Sequence, residues 1–181
     1  MKPFENTRSE RELPAEIDRS QGRTIAYSRS TTSRLMDVLD ANNHGNVHGG
    51  VIMRMVDEAA AIVAIKHSQS SVVTARVERF DFIAPAYIGN VVIIQCEMNY
   101  VGHTSMEVGV KVMAEDLITG EVRNVASSNV IYVALDANRK PRPVPPLIAG
   151  DQEEQAIIDQ ARHRRMKRLK IEEELKQAGG E

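Results

Sequence analysis

Apolar residues fall into two different periods along this chain. From about Gly49 to His67 they recur at Val51, Ile52, Met55, Val56, Ala59, Ala60, Ile62, Val63 and Ile65, interrupted by Arg54, Asp57, Glu58 and Lys66. That spacing predicts a helix, and apolar coverage of most of its circumference predicts burial nearly all round. Beyond it the period drops to two. Val73, Ala75 and Val77 alternate with Thr74, Arg76 and Glu78, and Phe80 and Phe82 then shift the phase, which predicts a bulge there. Val92, Ile94, Cys96, Met98 and Tyr100 form one alternating set, and Met106, Val108, Val110 and Val112 form the next. The run from Val122 to Leu135 is strand-like with apolar residues on both faces. Turn chemistry in "APAYIGN", "VGHT" and "EDLITGE" separates these strands.

One buried helix followed by hairpin-linked strands, with a weaker strand between Ile25 and Val38, predicts an α+β domain over residues 26–136. Its economical form is an antiparallel sheet curled around the helix. Residues 1–25 are polar and charged and read as a loosely ordered lead-in. Residues 137–150, containing "NRKPRPVPPL", read as a stiff linker. Residues 151–181 read as a charged C-terminal helix, in which Arg162, Arg164, Arg165, Lys167, Arg168 and Lys170 precede Glu172 to Glu174. Two uses fit that block: a solvated helix held by pairs four residues apart, or an electrostatic contact for an anionic ligand or partner.

Composition narrows the classes. The 181 residues carry a formal net charge of −2, with 42% hydrophobic and 27% charged residues, so no global charge points to nucleic acid. The core is expected to be aliphatic, since Trp is absent. Cys96 is the single cysteine, which excludes an internal disulfide and a cysteine-based zinc site, and its strand parity predicts a buried, inert thiol. The charged start and the lack of a run of about 20 apolar residues predict no signal peptide or membrane span, hence a cytoplasmic setting.

The chemistry concentrates in "ANNHGNVHGG", residues 41–50, directly before the apolar helix. Gly49 and Gly50 stand where the first unpaired N–H groups of that helix must be, a place suited to a developing oxyanion. Asp57, set among Val56, Ala59, Ala60 and Ala61, is costly to bury unless it is paired or working, and is the candidate general base. Seven residues of helix put Gly50 and Asp57 about 10 Å apart along the axis. One carbonyl cannot use both from a single copy. An antiparallel second copy across a two-fold axis resolves this, so a dimer with composite sites is expected.

The stretch "NNHGNVHGGVIMRMVDEAA" resembles the signature of hotdog-fold acyl-CoA thioesterases of the cytosolic acyl-CoA hydrolase type, with Asn42, Gly45, Gly49, Gly50 and Asp57 in register. The Phe-x-x-Pro at Phe82 to Pro85 and the Gly-x-Thr-Ser-Met at Gly102 to Met106 extend the similarity over roughly residues 26–136. The resemblance implies a hotdog fold and hydrolysis of acyl-CoA to free acid and CoA. It implies that Asp57 activates or holds the attacking water, that Asn42 of the other subunit orients water or thioester, and that the Gly50 N–H stabilises the oxyanion. No metal or prosthetic group is implied. Dimers, and trimers of dimers, are the implied assemblies.

Further substrate contacts are expected from Gly49, His48, Met53, Arg76, His103, Thr104 and Ser105, with Arg79 as another candidate for CoA phosphates. Each also has a plain reading, as turn, surface or core. His44 and His48 lie four apart, but Gly45 breaks the helix that a metal pair at this spacing needs. Glu58 is expected in solvent or in a salt bridge. Two other functions fit the fold: a non-catalytic acyl-CoA sensor, and an acyl hydratase, whose Asp-x-Asn-Pro-x-His segment is missing here.

Overall fold

A computed structural model describes Asp18 and residues 21–178. A short helix α1 (Ile25–Ser28) leads into strand β1 (Ser30–Leu35) and a 3-10 turn at Val38–Asp40. The long helix α2 (Gly49–Ser68) follows, then β2 (Ser71–Val77), β3 (Asp81–Phe82), β4 (Asn90–Val101), β5 (Ser105–Asp116), β6 (Val122–Leu135) and α3 (Gln152–Ala178). All the strand pairs are antiparallel, in the order β1-β4-β5-β6-β2, and β3 pairs with β6 beyond the end of β2. The sheet wraps α2, as the change of period from helix to strand predicted.

Alternation is cleanest in β4 and β5. Val92, Ile94, Cys96 and Met98 on the first, and Met106, Val108, Val110 and Val112 on the second, meet Ile52, Val56, Ala60, Val63 and Ala64 of α2 in one core. Small residues on the helix let it approach the concave face closely, while β-branched residues on the strands fill the pleat. Cys96 is buried there, and burial pushes its thiol up to about 12, so it packs as a small hydrophobe.

Three expectations need correction. Part of the Ile25–Val38 segment is helical rather than strand, because Thr24 caps the turn of α1 by accepting from the Tyr27 N–H. The irregularity expected near Phe80 is present, since the register against β6 slips by one residue between Val77 and Asp81, and a second one between Thr74 and Arg76 carries Arg76 to the outer face of the sheet. α2 is not buried all round: Met53, Ile62 and Ile65 are exposed along its outward side, and Val73 and Val77 are exposed on β2. The Pro-rich stretch is extended, as its prolines dictate, but it is fastened to the body. The Arg142 N–H donates to the Ala134 carbonyl, the Val144 N–H donates to the His103 carbonyl, and Val144 is fully buried.

The C-terminal helix is more firmly held than a solvated helix would be. Arg164 reaches Glu107 on β5 at 2.7 Å, and that carboxylate is 2% exposed. Arg168 pairs with Glu78, Glu172 with Arg76 at 2.7 Å, and the Arg165 guanidinium lies over the Tyr100 ring. Its beginning is anchored by Glu154, which accepts from the Ile25, Ala26 and Gly150 N–H groups. Intrahelical pairing is confined to exposed, weak pairs such as Lys170 with Glu174 at 3.9 Å. Two cations of the basic block, Arg164 and Arg168, thus serve the chain's own carboxylates at Glu107 and Glu78.

Candidate active site

Asp57 sits on the unfinished flank of α2, half-buried. Its Oδ1 accepts from the Thr74 hydroxyl at 2.6 Å and from the Tyr132 hydroxyl at 3.0 Å, and the Tyr132 hydroxyl also lies 2.8 Å from the Asp57 carbonyl oxygen. Thr74 and Tyr132 face each other across the β2–β6 pairing, so two neighbouring strands fix the carboxylate from below. Burial first, and the charge of Asp57 second, raise the Tyr132 phenol above its ordinary range, keeping it a proton donor to that carboxylate. Among the described residues nothing donates to Oδ2. The carboxylate is therefore held in one orientation with an acceptor oxygen to spare, the arrangement a water-activating base requires.

The other half of the expected site lies at the start of the helix. Loop 41–50 is a closed polar turn in which the Asn42 Oδ1 accepts from the His44 and Asn46 N–H groups. Its backbone is pinned by Asn42 N–H to the Asn46 carbonyl at 2.7 Å and by His48 N–H to the Asp40 carbonyl at 2.7 Å. Gly45 has φ +79°, a left-handed turn that suits glycine. His48 is the N-cap of α2, and its Nδ1 accepts from the Gly50 N–H at 2.9 Å. The expected oxyanion donor is thus occupied by an exposed imidazole, which must swing aside before the Gly50 N–H can serve a substrate. Asn42, likewise expected to reach for substrate, spends one face of its amide on the loop.

A cavity of about 360 Å³ opens beside this loop, lined by Asn42, Gly49, Ile52, Phe82, Pro85 and Ala86 among others. Space is tight here, since a Cβ on Gly49 would come 3.1 Å from the Phe82 ring. A second cavity of about 570 Å³ is lined by His48, Gly50, Val51 and Arg54 together with Arg34 and Asp40. Asp57 borders neither of these cavities. The structure therefore separates the two halves of the expected site within one subunit, as the helix geometry predicted.

The remaining candidates divide. Met53 is exposed on the same flank as Asp57, whereas Met55 is in the core. His103, Thr104 and Ser105 form the β4–β5 turn, with the Thr104 carbonyl accepting from the Ala134 N–H and the Ser105 carbonyl from the Gly102 N–H. Ser105 pairs with Val133 on β6, one register step from Tyr132, so the turn lies near Asp57 rather than near the Gly50 end. Arg76 pairs with Glu172 and Arg79 with Asp81, both at 2.7 Å, and both guanidinium groups remain exposed. Glu58 pairs loosely with Arg54, both exposed. Among the described residues no cluster of His, Cys, Asp and Glu could hold a metal ion.

Thr74 and Tyr132 were not among the residues singled out from sequence. A polar Thr flanked by Val73 and Ala75 was the available signal for the first.

Residues 44–121 match the Thioesterase superfamily profile. The chain is 42% identical over 123 residues to the uncharacterized acyl-CoA thioester hydrolase YkhA of Bacillus subtilis, covering 68% of this chain and 71% of that one. It belongs to the thioesterase superfamily. The human cytosolic acyl coenzyme A thioester hydrolase is 39% identical over 132 residues, and there the chain spans 35% of the relative's length. Among solved structures, an apo-hexameric acyl-CoA thioesterase superposes with a TM-score of 0.79 at 35% identity, covering 83% of this chain and 96% of that one. An acyl-CoA hydrolase of Staphylococcus aureus, in complex with butyryl coenzyme A and coenzyme A, gives 0.78 at 32%, covering 87% and 96%. Structures also exist of that S. aureus hydrolase with one Asp, one Thr or one Asn changed to Ala. There the Asn precedes the Asp by fifteen residues and the Thr follows it by seventeen, the same intervals that separate Asn42, Asp57 and Thr74.

Proposed function

We infer that this hotdog thioesterase hydrolyses the thioester of acyl-CoA to a free acid and CoA, with water positioned by Asp57. The observation that carries the reading is the Asp57 carboxylate, held on one oxygen by Thr74 and Tyr132 at a flank of α2 that its own subunit leaves open. In the first step a water oxygen bonds to the thioester carbon as its proton passes to Asp57. Negative charge then develops on the former carbonyl oxygen, where a helix N-terminus is the natural partner. Collapse of the tetrahedral intermediate breaks the C–S bond, and the proton held by Asp57 returns to the departing thiolate.

The site is composite. α2 around Asp57 and the edge strand β2 both carry exposed apolar side chains, and a second copy laid antiparallel on them brings its Asn42, Gly49 and Gly50 toward this Asp57. Asn42 then orients water or thioester, and Gly50, freed from His48, receives the oxyanion. Gly49, Met53 and the turn at His103, Thr104 and Ser105 border the substrate path. Hexameric relatives support grouping three such dimers into one particle. No metal or prosthetic group enters this chemistry, because the carboxylate and the helix terminus supply its base and its oxyanion partner. A cytoplasmic setting accompanies the reading, since the human relative is named cytosolic.

Purified protein should release free thiol from acyl-CoAs, read with a thiol reagent across a panel of chain lengths. Asp57→Asn should lower kcat by about 100- to 10,000-fold with the fold intact. No turnover at any chain length would overturn the reading and favour an acyl-CoA sensor.

A further inference from the structure

Two cavities flank the start of α2, and their walls differ in kind. Gly49 lines the one of about 360 Å³ and Gly50 the one of about 570 Å³. Around Gly50 stand four charged side chains, Arg34, Asp37, Asp40 and Arg54. Around Gly49 the wall is mostly apolar, from Val47, Ile52, Phe82, Ile83, Pro85 and Ala86, and its polar side chains are Asn42 and Asn46. A thioester carbonyl held at the Gly50 N–H sends two arms away from this point, one a hydrocarbon and the other the polar pantetheine of CoA.

In the apolar cavity some of the lining is buried and some is bare. Val47, Ile52 and Ala86 are buried members of the core. Phe82 and Ile83 are 53% and 61% exposed, although both are large and apolar. The segment that carries them is nonetheless fastened. The Ile83 and Ala84 N–H groups both donate to the Val125 carbonyl, at 2.8 and 3.3 Å, and the Val47 N–H donates to the Ala86 carbonyl at 2.9 Å. The Phe82 ring also lies 4.8 Å from that of Phe80. Side chains rather than loop movement therefore set the size of this space. A methylene takes about the volume of a water in the liquid, about 30 Å³, so at most about a dozen fit.

We propose, resting on the hydrolysis read above, that this cavity receives the acyl chain and that Phe82 and Ala84 set how long a chain it takes. A hydrocarbon gains by entering it, whereas the charged cavity would set that chain against Arg34, Asp40 and Arg54. A chain lying along Ile52 covers the bare faces of Phe82 and Ile83. Each methylene buried raises kcat/KM about fourfold until the space is full. The substrate class is accordingly acyl-CoA of medium length, up to about twelve carbons.

The test is kcat/KM of the full chain across saturated acyl-CoAs from acetyl to palmitoyl, for wild type, Ala84→Phe and Phe82→Ala. The wild type should climb with chain length and level off by about twelve carbons. Ala84→Phe, which fills part of the cavity, should lower the lauroyl-to-butyryl ratio of kcat/KM at least about tenfold. Phe82→Ala, which enlarges the cavity, should move the plateau to longer chains. A damaged fold lowers turnover of every chain length alike, so opposite shifts in the two variants separate the cavity from misfolding. Active variants that keep the wild-type ratio would overturn the acyl assignment and leave the hydrolysis standing. A wild-type profile that is flat, or that climbs all the way to palmitoyl-CoA, would do the same. A wild type that turns over no acyl-CoA would overturn both.

Discussion

The two ends of α2 are finished in opposite ways. At its C-terminus the helix is sealed by its own subunit. His67 is fully buried and its Nε2 donates to the Pro145 carbonyl at 3.0 Å, while Arg23 donates to the Lys66 and His67 carbonyls and to Gln69. Gln69 closes the helix in a left-handed conformation with φ 50°. At its N-terminus the cap is an exposed histidine, the loop is polar, and cavities open on either side. The sealed end contributes stability, and the open end keeps donors within reach of a ligand. The proposed chemistry uses the parts of the helix that the subunit leaves unfinished, this end and the flank that carries Asp57.

The largest expected effect falls on the sealed end. With Nε2–H given to Pro145, Nδ1 is a buried atom with no partner among the described residues, and a second proton there has nowhere to go. Burial, aided by Arg23, lowers the His67 pKa from 6.5 to about 4. The unfolded chain takes up that proton below pH 6.5, whereas the folded chain resists it until about pH 4. Stability should therefore fall with pH across this window, by about 3 kcal/mol in total. His67→Gln, which can still donate to Pro145 but cannot titrate, should flatten that part of a denaturation-against-pH curve. An unchanged slope would show that the sealed end does not control acid stability.

A smaller effect is expected on the open flank. Thr74→Val keeps the volume near the edge strand but removes one of the two bonds orienting Asp57. A hydrogen bond to a charged group contributes about 1.5–3 kcal/mol, so kcat should drop at least about tenfold. Because Thr74 is exposed in the protomer, the melting temperature should hardly move. A loss of stability without a loss of kcat would reverse the division between sealed and open regions.

The sequence carried the sealed parts better than the open ones. Alternation in β4 and β5 is legible because both strands pack on α2 within the chain, so burial and pattern agree. β2 is not, since its inner phase is broken at the Thr74–Arg76 irregularity and nearly all of its residues are exposed. Apolar residues all round α2 predicted more burial than one subunit provides, and Met53, Ile62 and Ile65 stay exposed. Asp57, Asn42 and the Gly pair were legible through local motif and helix arithmetic. Tyr132 was hidden in a strand apolar on both faces, and its meeting with Asp57 spans 75 positions of chain. The ion pairs of α3 were equally hidden, because Arg164 and Glu107 are brought together by the fold and by no local spacing.

The central claim is that the two halves of one site come from two subunits. The direct measurement is thioesterase activity of heterodimers formed by exchanging Asn42→Ala subunits with Asp57→Ala subunits, each inactive alone. A verified heterodimer should recover about half of the wild-type rate, because one of its two sites regains both side chains while the other loses both. Heterodimers as inactive as their parents would contradict the account, placing Asn42 and Asp57 of the same chain in one site.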